Sequence, residues 1–195
     1  MNRWTLFMAM VFAVACCGCS STYMISDPNK SEMTGELSDL LKKSKFKVPC
    51  RVEVHCPESI TSVDSKFFGE DTYNYQLQNI LKSSFESAAN IAFEAPRSEV
   101  IDAFTLYVSV PESQLKVDGS DITYNLHVIV VLKDPSEKKI DAFEINWTPK
   151  AKPALEGMSP SDTIYKAARE VAFDSIKKLA ESPKVRKIAK RLEDR

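Results

Sequence analysis

Few side chains in this sequence are of the types that carry out acid–base or nucleophilic chemistry. It contains two histidines, His55 and His127, and each falls on the polar side of a predicted strand. His127 could act as a general base with the carboxylate of Glu53 only if the two strands that carry them are neighbours. No Gly-x-Ser-x-Gly, His-Glu-x-x-His or phosphate-binding glycine loop accompanies either histidine. We therefore predict that both are ordinary sheet residues, that the chain has no catalytic residue, and that it needs no cofactor.

Three cysteines follow an apolar run near the N-terminus. The short basic start Met1-Asn2-Arg3 leads into the apolar run from Trp4 to Ala15, and the sequence then reads Cys16-Cys17-Gly18-Cys19-Ser20-Ser21. This order is typical of an export signal. The apolar run is shorter than the roughly 20 residues that a helix needs to cross the bilayer. The sequence therefore predicts a cleaved signal peptide rather than a permanent membrane anchor.

The small residue, cysteine and serine at Gly18-Cys19-Ser20 resemble the bacterial lipobox. In that motif the cysteine thiol is acylated and becomes the N-terminus after cleavage, which predicts a signal peptide over 1–18 and lipidation of Cys19. Cys16, which follows Ala13-Val14-Ala15, is the alternative site. Ser20 stands where an aspartate retains lipoproteins in the inner membrane of enteric-type bacteria. The resemblance therefore implies the periplasmic face of the outer membrane, with palmitate-type acyl chains as the anchor.

The remaining thiols, Cys50 and Cys56, bound an alternating stretch. A straight strand separates them by about 20 Å, whereas a disulfide requires Cα atoms within about 7 Å. An exported compartment nevertheless favours disulfides. Three interpretations are open: free thiols, a disulfide across a bent segment, and a metal site that adds His55. Zinc-type Cys-x2-Cys spacing is absent, so we favour free thiols and predict no metal site.

Composition limits the class of protein. The chain has 195 residues, 44% of them hydrophobic, which is enough for one ordinary folded domain. Its 26 Lys and Arg residues balance 27 Asp and Glu residues, so the basic excess that nonspecific nucleic-acid binding requires is missing. We predict no nucleic-acid partner. We expect the basic residues of the last predicted helix to form a solvated face, and the alternative is that they contact anionic lipid or an acidic partner.

The elements that position these residues follow from apolar periodicity. A polar tether over 19–47, with two possible helical turns near Glu36, precedes a single domain over 48–195. The first predicted elements are a strand from Cys50 to Cys56, a polar loop, and a helix from Tyr73 to Ala88 capped by Asp71 or Thr72. Three strands follow: one from Phe104 that ends at Pro111, then Ile122–Leu132 and Ile140–Trp147. The last elements are a helix capped by Ser159 and a basic helix after Ser182-Pro183. Phe67, Phe68, Tyr73 and Tyr75 are expected to be packing residues.

This order, βαβββα, predicts an α+β two-layer sandwich, a four-stranded sheet with two helices on one face. Behind a lipidated cysteine, it resembles the YajG-type outer-membrane lipoproteins. The similarity runs from about Cys50 to Arg191 and is carried by Leu77-Gln78-Asn79-Ile80-Leu81, by Tyr124-Asn125, and by the basic helix after Ala180. The layout is also similar to the lipopolysaccharide-assembly lipoprotein and to the auxiliary lipoproteins of lipid-transporting ABC systems. The resemblance assigns no functional residue.

Two functions of different class follow. The resemblance implies a non-catalytic binding or assembly lipoprotein of the cell envelope, whose partner is an envelope protein or lipid and whose role is auxiliary to lipid transport. The alternative is a periplasmic hydrolase of unrecognised type.

Overall fold

The structure is a computed structural model that describes residues 21–42, 49–57, 59–65, 69–93, 103–118, 121–148 and 158–193. The elements in chain order are β1 (Thr22–Ile25), a 3₁₀ turn (Pro28–Ser31), α1 (Glu36–Lys42), β2 (Cys50–His55), β3 (Ser59–Ser65), β4 (Gly69–Tyr75), α2 (Leu77–Ala92), β5 (Phe104–Asp118), β6 (Asp121–Lys133), β7 (Lys139–Trp147), α3 (Pro160–Glu181) and α4 (Pro183–Glu193).

The main sheet has four strands in the order β2-β5-β6-β7, and α2 and α3 pack against it. Alternate residues of each strand are buried on the helix side because side chains in a strand point to opposite faces. These inner-face residues are Val52, Val54, Leu106, Val108, Val110, Leu126, Val128, Val130, Leu132, Ile145 and Trp147. The predicted α+β sandwich is confirmed, and β6 lies in the interior of the sheet, as its two apolar faces predicted.

The predicted helical stripes form the second layer. Helix α2 buries Ile80, Leu81 and Phe85, and α3 buries Val171 and Ile176 among others. A capping box starts α3, where the Ser159 side chain accepts from the Asp162 backbone N–H at 3.1 Å and the Asp162 carboxylate accepts from the Ser159 backbone. Ser182 ends α3, and α4 follows from Pro183, as the sequence predicted.

A second, three-stranded sheet has the order β1-β4-β3 and was not predicted. The expected polar loop after β2 is wrong, because β3 and β4 form an antiparallel hairpin there. The expected helix start at Tyr73 is also wrong: α2 begins at Leu77, after Gln76, which makes no side-chain cap bond. Tyr73 lies four residues before Leu77, a spacing that suits a helix, but its backbone pairs with Thr61 and Tyr23 instead.

The N-terminal segment belongs to the folded body in the part that the structure describes. We predicted a tether over 19–47, but residues 22–25 pair in parallel with β4, and Ile25, Met33 and Leu41 are buried in the main core. The two helical turns expected near Glu36 are present as α1. Sequence analysis missed the packing of this segment because each of its short elements is rich in polar residues and buries only one apolar side chain. Residues 19, 20 and 43–47 lie outside the described residues.

Strand β5 continues through Pro111, where the sequence predicted its end. A β-bulge between Ser109 and Glu112 accommodates the proline, since a bulge leaves one residue outside the ladder. The bulge shifts the buried positions from even numbers, ending at Val110, to odd numbers, beginning near Leu115. The inner face of the sheet therefore stays apolar across the irregularity.

Candidate functional site

The described part of the folded body begins two residues after the predicted lipidation site. Cys19 and the alternative Cys16 lie outside the described residues. Two residues after Cys19, the Ser21 carbonyl accepts from the Thr72 backbone N–H at 2.8 Å. The Ser21 N–H lies 3.4 Å from Asp71 Oδ1, its acceptor. Two residues of chain span at most about 7 Å. Ser21 therefore lies within about 7 Å of the predicted lipidation site.

Apolar side chains are exposed on β1, the edge strand of the small sheet. Tyr23 is 45% exposed and Met24 is 58% exposed. The Tyr23 ring stacks on Tyr73, with ring centroids 5.0 Å apart and planes at 16°. Tyr23 and Met24 follow each other in β1, so they project from opposite faces of the sheet. We call Tyr23, Met24 and Tyr73 the β1 patch. Sequence reasoning missed it, although Thr22-Tyr23-Met24-Ile25 directly after the cysteines is a short strand-like run.

The small sheet is fixed to the main sheet by two buried tyrosines, Tyr75 at the end of β4 and Tyr124 in β6. The Tyr75 hydroxyl lies 3.3 Å from Ser113 Oγ, which lies 3.1 Å from the Tyr124 hydroxyl. The Tyr75 and Tyr124 rings meet edge to face, with centroids 6.2 Å apart. Burial raises the pKa of Tyr124 well above its usual value, so this phenol stays neutral. Tyr75 is a packing residue as predicted, while Phe67 and Phe68 lie outside the described residues.

The structure does not bring His127 to Glu53. Strand β5 lies between β2 and β6, so the neighbouring-strand condition for that pair is not met. His127 Nε2 instead lies 3.6 Å from Glu144 Oε2 on β7, and it has no hydrogen-bond partner among the described residues. Directly across the sheet from His127 lie Glu112 and Asn146, neither of which is a nucleophile. Among the described residues, those paired with His127 or in contact with it thus offer carboxylates and an amide and no nucleophile.

His55 is exposed on the outer face of the main sheet, the face opposite the helices. Its ring stacks on Tyr107 with centroids 4.7 Å apart, and Lys133 Nζ lies 5.0 Å from the centre of the same Tyr107 ring. These are side-chain packing contacts along adjacent strands. Ile129 and Val131 lie half-buried between the charged residues of this face. The face is therefore mixed in character, with an apolar centre.

Both predicted thiols are free in the structure. Cys50 is buried and Cys56 is half-buried. Every residue from Cys50 to His55 pairs with β5, so the segment between the thiols is a straight strand. Burial raises the pKa of Cys50 to about 12 and that of Cys56 to about 11. Thiols of this kind are weak nucleophiles near neutral pH because the thiolate is the reactive form.

The described parts of the chain contain no group of three or more His, Cys, Asp or Glu side chains that could hold a metal ion. Within the same residues, no helix combines the length and apolar character that a membrane crossing requires.

A surface groove of about 300 Å³ lies beside the start of α3, where Lys30, Asp162, Tyr165 and Arg169 line it. Arg169 spans the groove by donating to the Lys30 carbonyl.

The C-terminal helix is held to the edge of the main sheet by polar contacts. The Ser182 hydroxyl donates to Asp141 Oδ2 at 2.6 Å, and Lys184 Nζ lies 3.1 Å from Asp141 Oδ1. The Ser182 bond, followed by Lys184, holds the pKa of Asp141 below its usual value. On the same strand, Trp147 Nε1 donates to Glu170 Oε2 at 2.6 Å. Val185 and Ala189 pack α4 on the body, and Lys187, Lys190 and Arg191 are exposed, as predicted.

Comparison with known proteins adds a limited likeness of fold. No known protein family matches the chain, and no curated protein matches it. Among solved structures, a Xanthomonas campestris protein of the DUF330 family is 9% identical, covers 80% of this chain and 93% of its own, and superposes with a TM-score of 0.45. Uncharacterized lipoprotein B from Nitrosomonas europaea is 9% identical, covers 76% of this chain and 89% of its own, and has a TM-score of 0.37. We draw neither family nor function from similarity at this level.

Proposed function

We propose that this chain is a lipoprotein anchored to the periplasmic face of the outer membrane by an acylated Cys19. The observation that carries the proposal is the sequence Gly18-Cys19-Ser20 behind a basic start and an apolar run. The backbone hydrogen bond between Ser21 and Thr72 supports it, because a residue two positions after Cys19 then already belongs to the folded body. Several acyl chains on one cysteine suffice for stable anchoring.

Metabolic labelling with palmitate tests the anchor. The full-length chain produced in a Gram-negative host should incorporate the label and retain it after Cys16→Ser, whereas Cys19→Ser should lose it. Mass spectrometry of the mature N-terminus should show an acylated Cys19. Loss of label in Cys16→Ser with retention in Cys19→Ser would move the site to Cys16. An unlabelled wild-type chain would refute the lipoprotein assignment.

The choice of membrane rests on Ser20, the residue after the lipidated cysteine. Separation of the two membranes on a density gradient should place the wild-type chain in the outer-membrane fraction. Ser20→Asp should move it to the inner-membrane fraction, and Ser20→Ala serves as the matched control that should not. Recovery of the wild-type chain in the inner membrane would overturn this part of the proposal.

We propose a non-catalytic binding or assembly role for the body, auxiliary to lipid transport in the envelope. Its support is the outer face of the main sheet, where Tyr107, Ile129 and Val131 are half-buried while both long helices pack on the inner face. An open sheet face with an apolar centre suits a protein or acyl-chain partner. The link to lipid transport rests on the sequence resemblance and on the layout of elements.

Photocrosslinking in cells tests this role. A photoreactive residue at Glu144, exposed beside the apolar centre, should crosslink one envelope component, and one at the exposed Lys187 of α4 should not. Equal yields from the two positions would contradict a binding role for this face. Turnover of a periplasmic substrate that disappears in His127→Ala, with unfolding temperature unchanged, would favour the hydrolase instead.

A further inference from the structure

The lipid anchor, if it is at Cys19, places the β1 patch next to the bilayer. This step rests on the proposed function. The Ser21 backbone is hydrogen-bonded to β4, so no long flexible segment separates the patch from the anchor. Because β1 and β4 are parallel and Thr22 lies beside Thr72, the chain enters the small sheet three residues after β4 begins. The start of β1 must therefore lie near the membrane surface.

Exposure of apolar side chains supports the same placement. Three large hydrophobic side chains are exposed in the described residues, and two of them, Tyr23 and Met24, are adjacent in β1. The third, Leu40, lies on α1. Tyrosine is enriched at membrane interfaces because its ring is apolar while its hydroxyl stays in contact with water. Stacking on Tyr73 holds the Tyr23 ring in place, so little side-chain entropy remains to be lost on insertion.

We infer that the β1 patch lies edge-on in the headgroup region of the phospholipid bilayer, because β1 is the edge strand of the small sheet, where Tyr23 and Tyr73 lie on one face and Met24 on the other. The acyl chains of Cys19 supply the anchor, and the patch sets the orientation of the body. The small sheet is fixed to the main sheet through Tyr75, Ser113 and Tyr124. The orientation of the patch is therefore transmitted to the whole domain, which then faces the periplasm with one defined side rather than turning freely on a tether.

Fluorescence in vesicles tests the inference with the full lipoprotein. The purified, acylated protein is reconstituted into vesicles of phosphatidylethanolamine and phosphatidylglycerol, with and without bromine on the acyl chains as a quencher. In a Tyr23→Trp variant, the tryptophan introduced at position 23 should give blue-shifted fluorescence in plain vesicles. In brominated vesicles, most of this fluorescence should be quenched. Trp147 is buried and present in every variant, so it contributes a constant background.

A Lys138→Trp variant is the matched control. Lys138 is exposed in the turn between β6 and β7. Strand β6 extends about 30 Å from Tyr124, which contacts the small sheet, to Lys133 beside this turn, at ~3.4 Å per residue. Its added emission should be neither shifted nor quenched. Equal quenching of the two variants, or none in Tyr23→Trp, would overturn the inference.

Flotation of the same vesicles separates the two proposals. If the protein floats with the vesicles but Tyr23→Trp is unquenched, the lipid anchor stands and the seating of the patch is wrong. If Cys19→Ser floats as well as the wild type does, the anchor at Cys19 is wrong and the inference fails with it.

Discussion

The neighbouring leucines of α1 provide a decisive test of whether the N-terminal segment is part of the fold. Leu41 is 2% exposed, while Leu40 beside it is 44% exposed. Both are leucines in the same short helix, so Leu40→Ala and Leu41→Ala change helix propensity equally. A difference in stability between the two variants therefore reports burial alone.

The expected magnitude follows from the size of the side chain removed. Replacing a buried leucine with alanine costs about 2–5 kcal/mol through lost transfer free energy and the cavity left behind. Leu41 is fully buried but belongs to a helix of only seven residues, so we expect a cost in the lower part of this range, about 2–3 kcal/mol. Leu40→Ala removes an exposed side chain and should change the free energy of unfolding by about 0.5 kcal/mol or less.

Urea unfolding of the chain from residue 19 onward, with Cys19→Ser to remove the lipid site, measures the difference. At a slope of about 2 kcal/mol per molar urea, Leu41→Ala should lower the midpoint by about 1 M relative to Leu40→Ala. Coincident midpoints for the two variants would refute the packing of α1 and restore the tether predicted from the sequence.

Three other outcomes are expected. Ser159→Ala removes the side-chain acceptor of the capping box and should lower the free energy of unfolding by about 1 kcal/mol in urea titrations. The pKa of Asp141 is lowered chiefly by the Ser182 hydroxyl, so its stabilisation is present above the usual pKa and lost as pH falls through the lowered value. Asp141→Asn should therefore cost about 1–2 kcal/mol at pH 7, with the difference from wild type shrinking below about pH 4. A thiol reagent at pH 8 should react slowly with the folded chain, at Cys56 before Cys50, because burial raises their pKa values to about 11 and about 12.

Each of these outcomes has a control. Ser161→Ala, in the first turn of α3, should leave stability within about 0.5 kcal/mol of wild type. Asp174→Asn, at an exposed site of α3, should show no comparable pH-dependent loss. In urea, which unfolds the chain, both thiols should react with the reagent at the rate of a free cysteine. Rapid reaction of Cys50 in the folded chain would contradict its burial in β2.

Strands and helices that bury a continuous apolar face were predicted well from the sequence. Strand β6 runs over Asp121–Lys133, close to the predicted Ile122–Leu132, because its alternation extends through six apolar positions on one side. The N-terminus of α3 was placed at the correct residue, since Ser159, Pro160 and Asp162 each favour a helix start through local contacts. Signals of this kind act within a few residues and do not depend on distant parts of the chain.

Elements whose partners are distant in sequence were missed. β1 pairs with β4 about 50 residues later, and its four residues carry too little pattern to predict a strand alone. Pro111 is typical of a strand end, yet the ladder with β6 resumes beyond the bulge at Glu112. Tyr73 fits helical spacing, but pairing on both sides holds it in β4. In each case backbone pairing outweighs local preference.

The sequence by itself determined the predicted signal and lipidation motif, the α+β class, and the absence of the usual catalytic motifs, since these depend on residue types at short spacing. Only the tertiary structure decided that β5 separates His127 from Glu53 and that Leu41 is buried while Leu40 is exposed. It also decided that Tyr23 and Tyr73 form one patch beside Ser21. Strand order and register are set by the packing of the whole sheet, which no local spacing encodes.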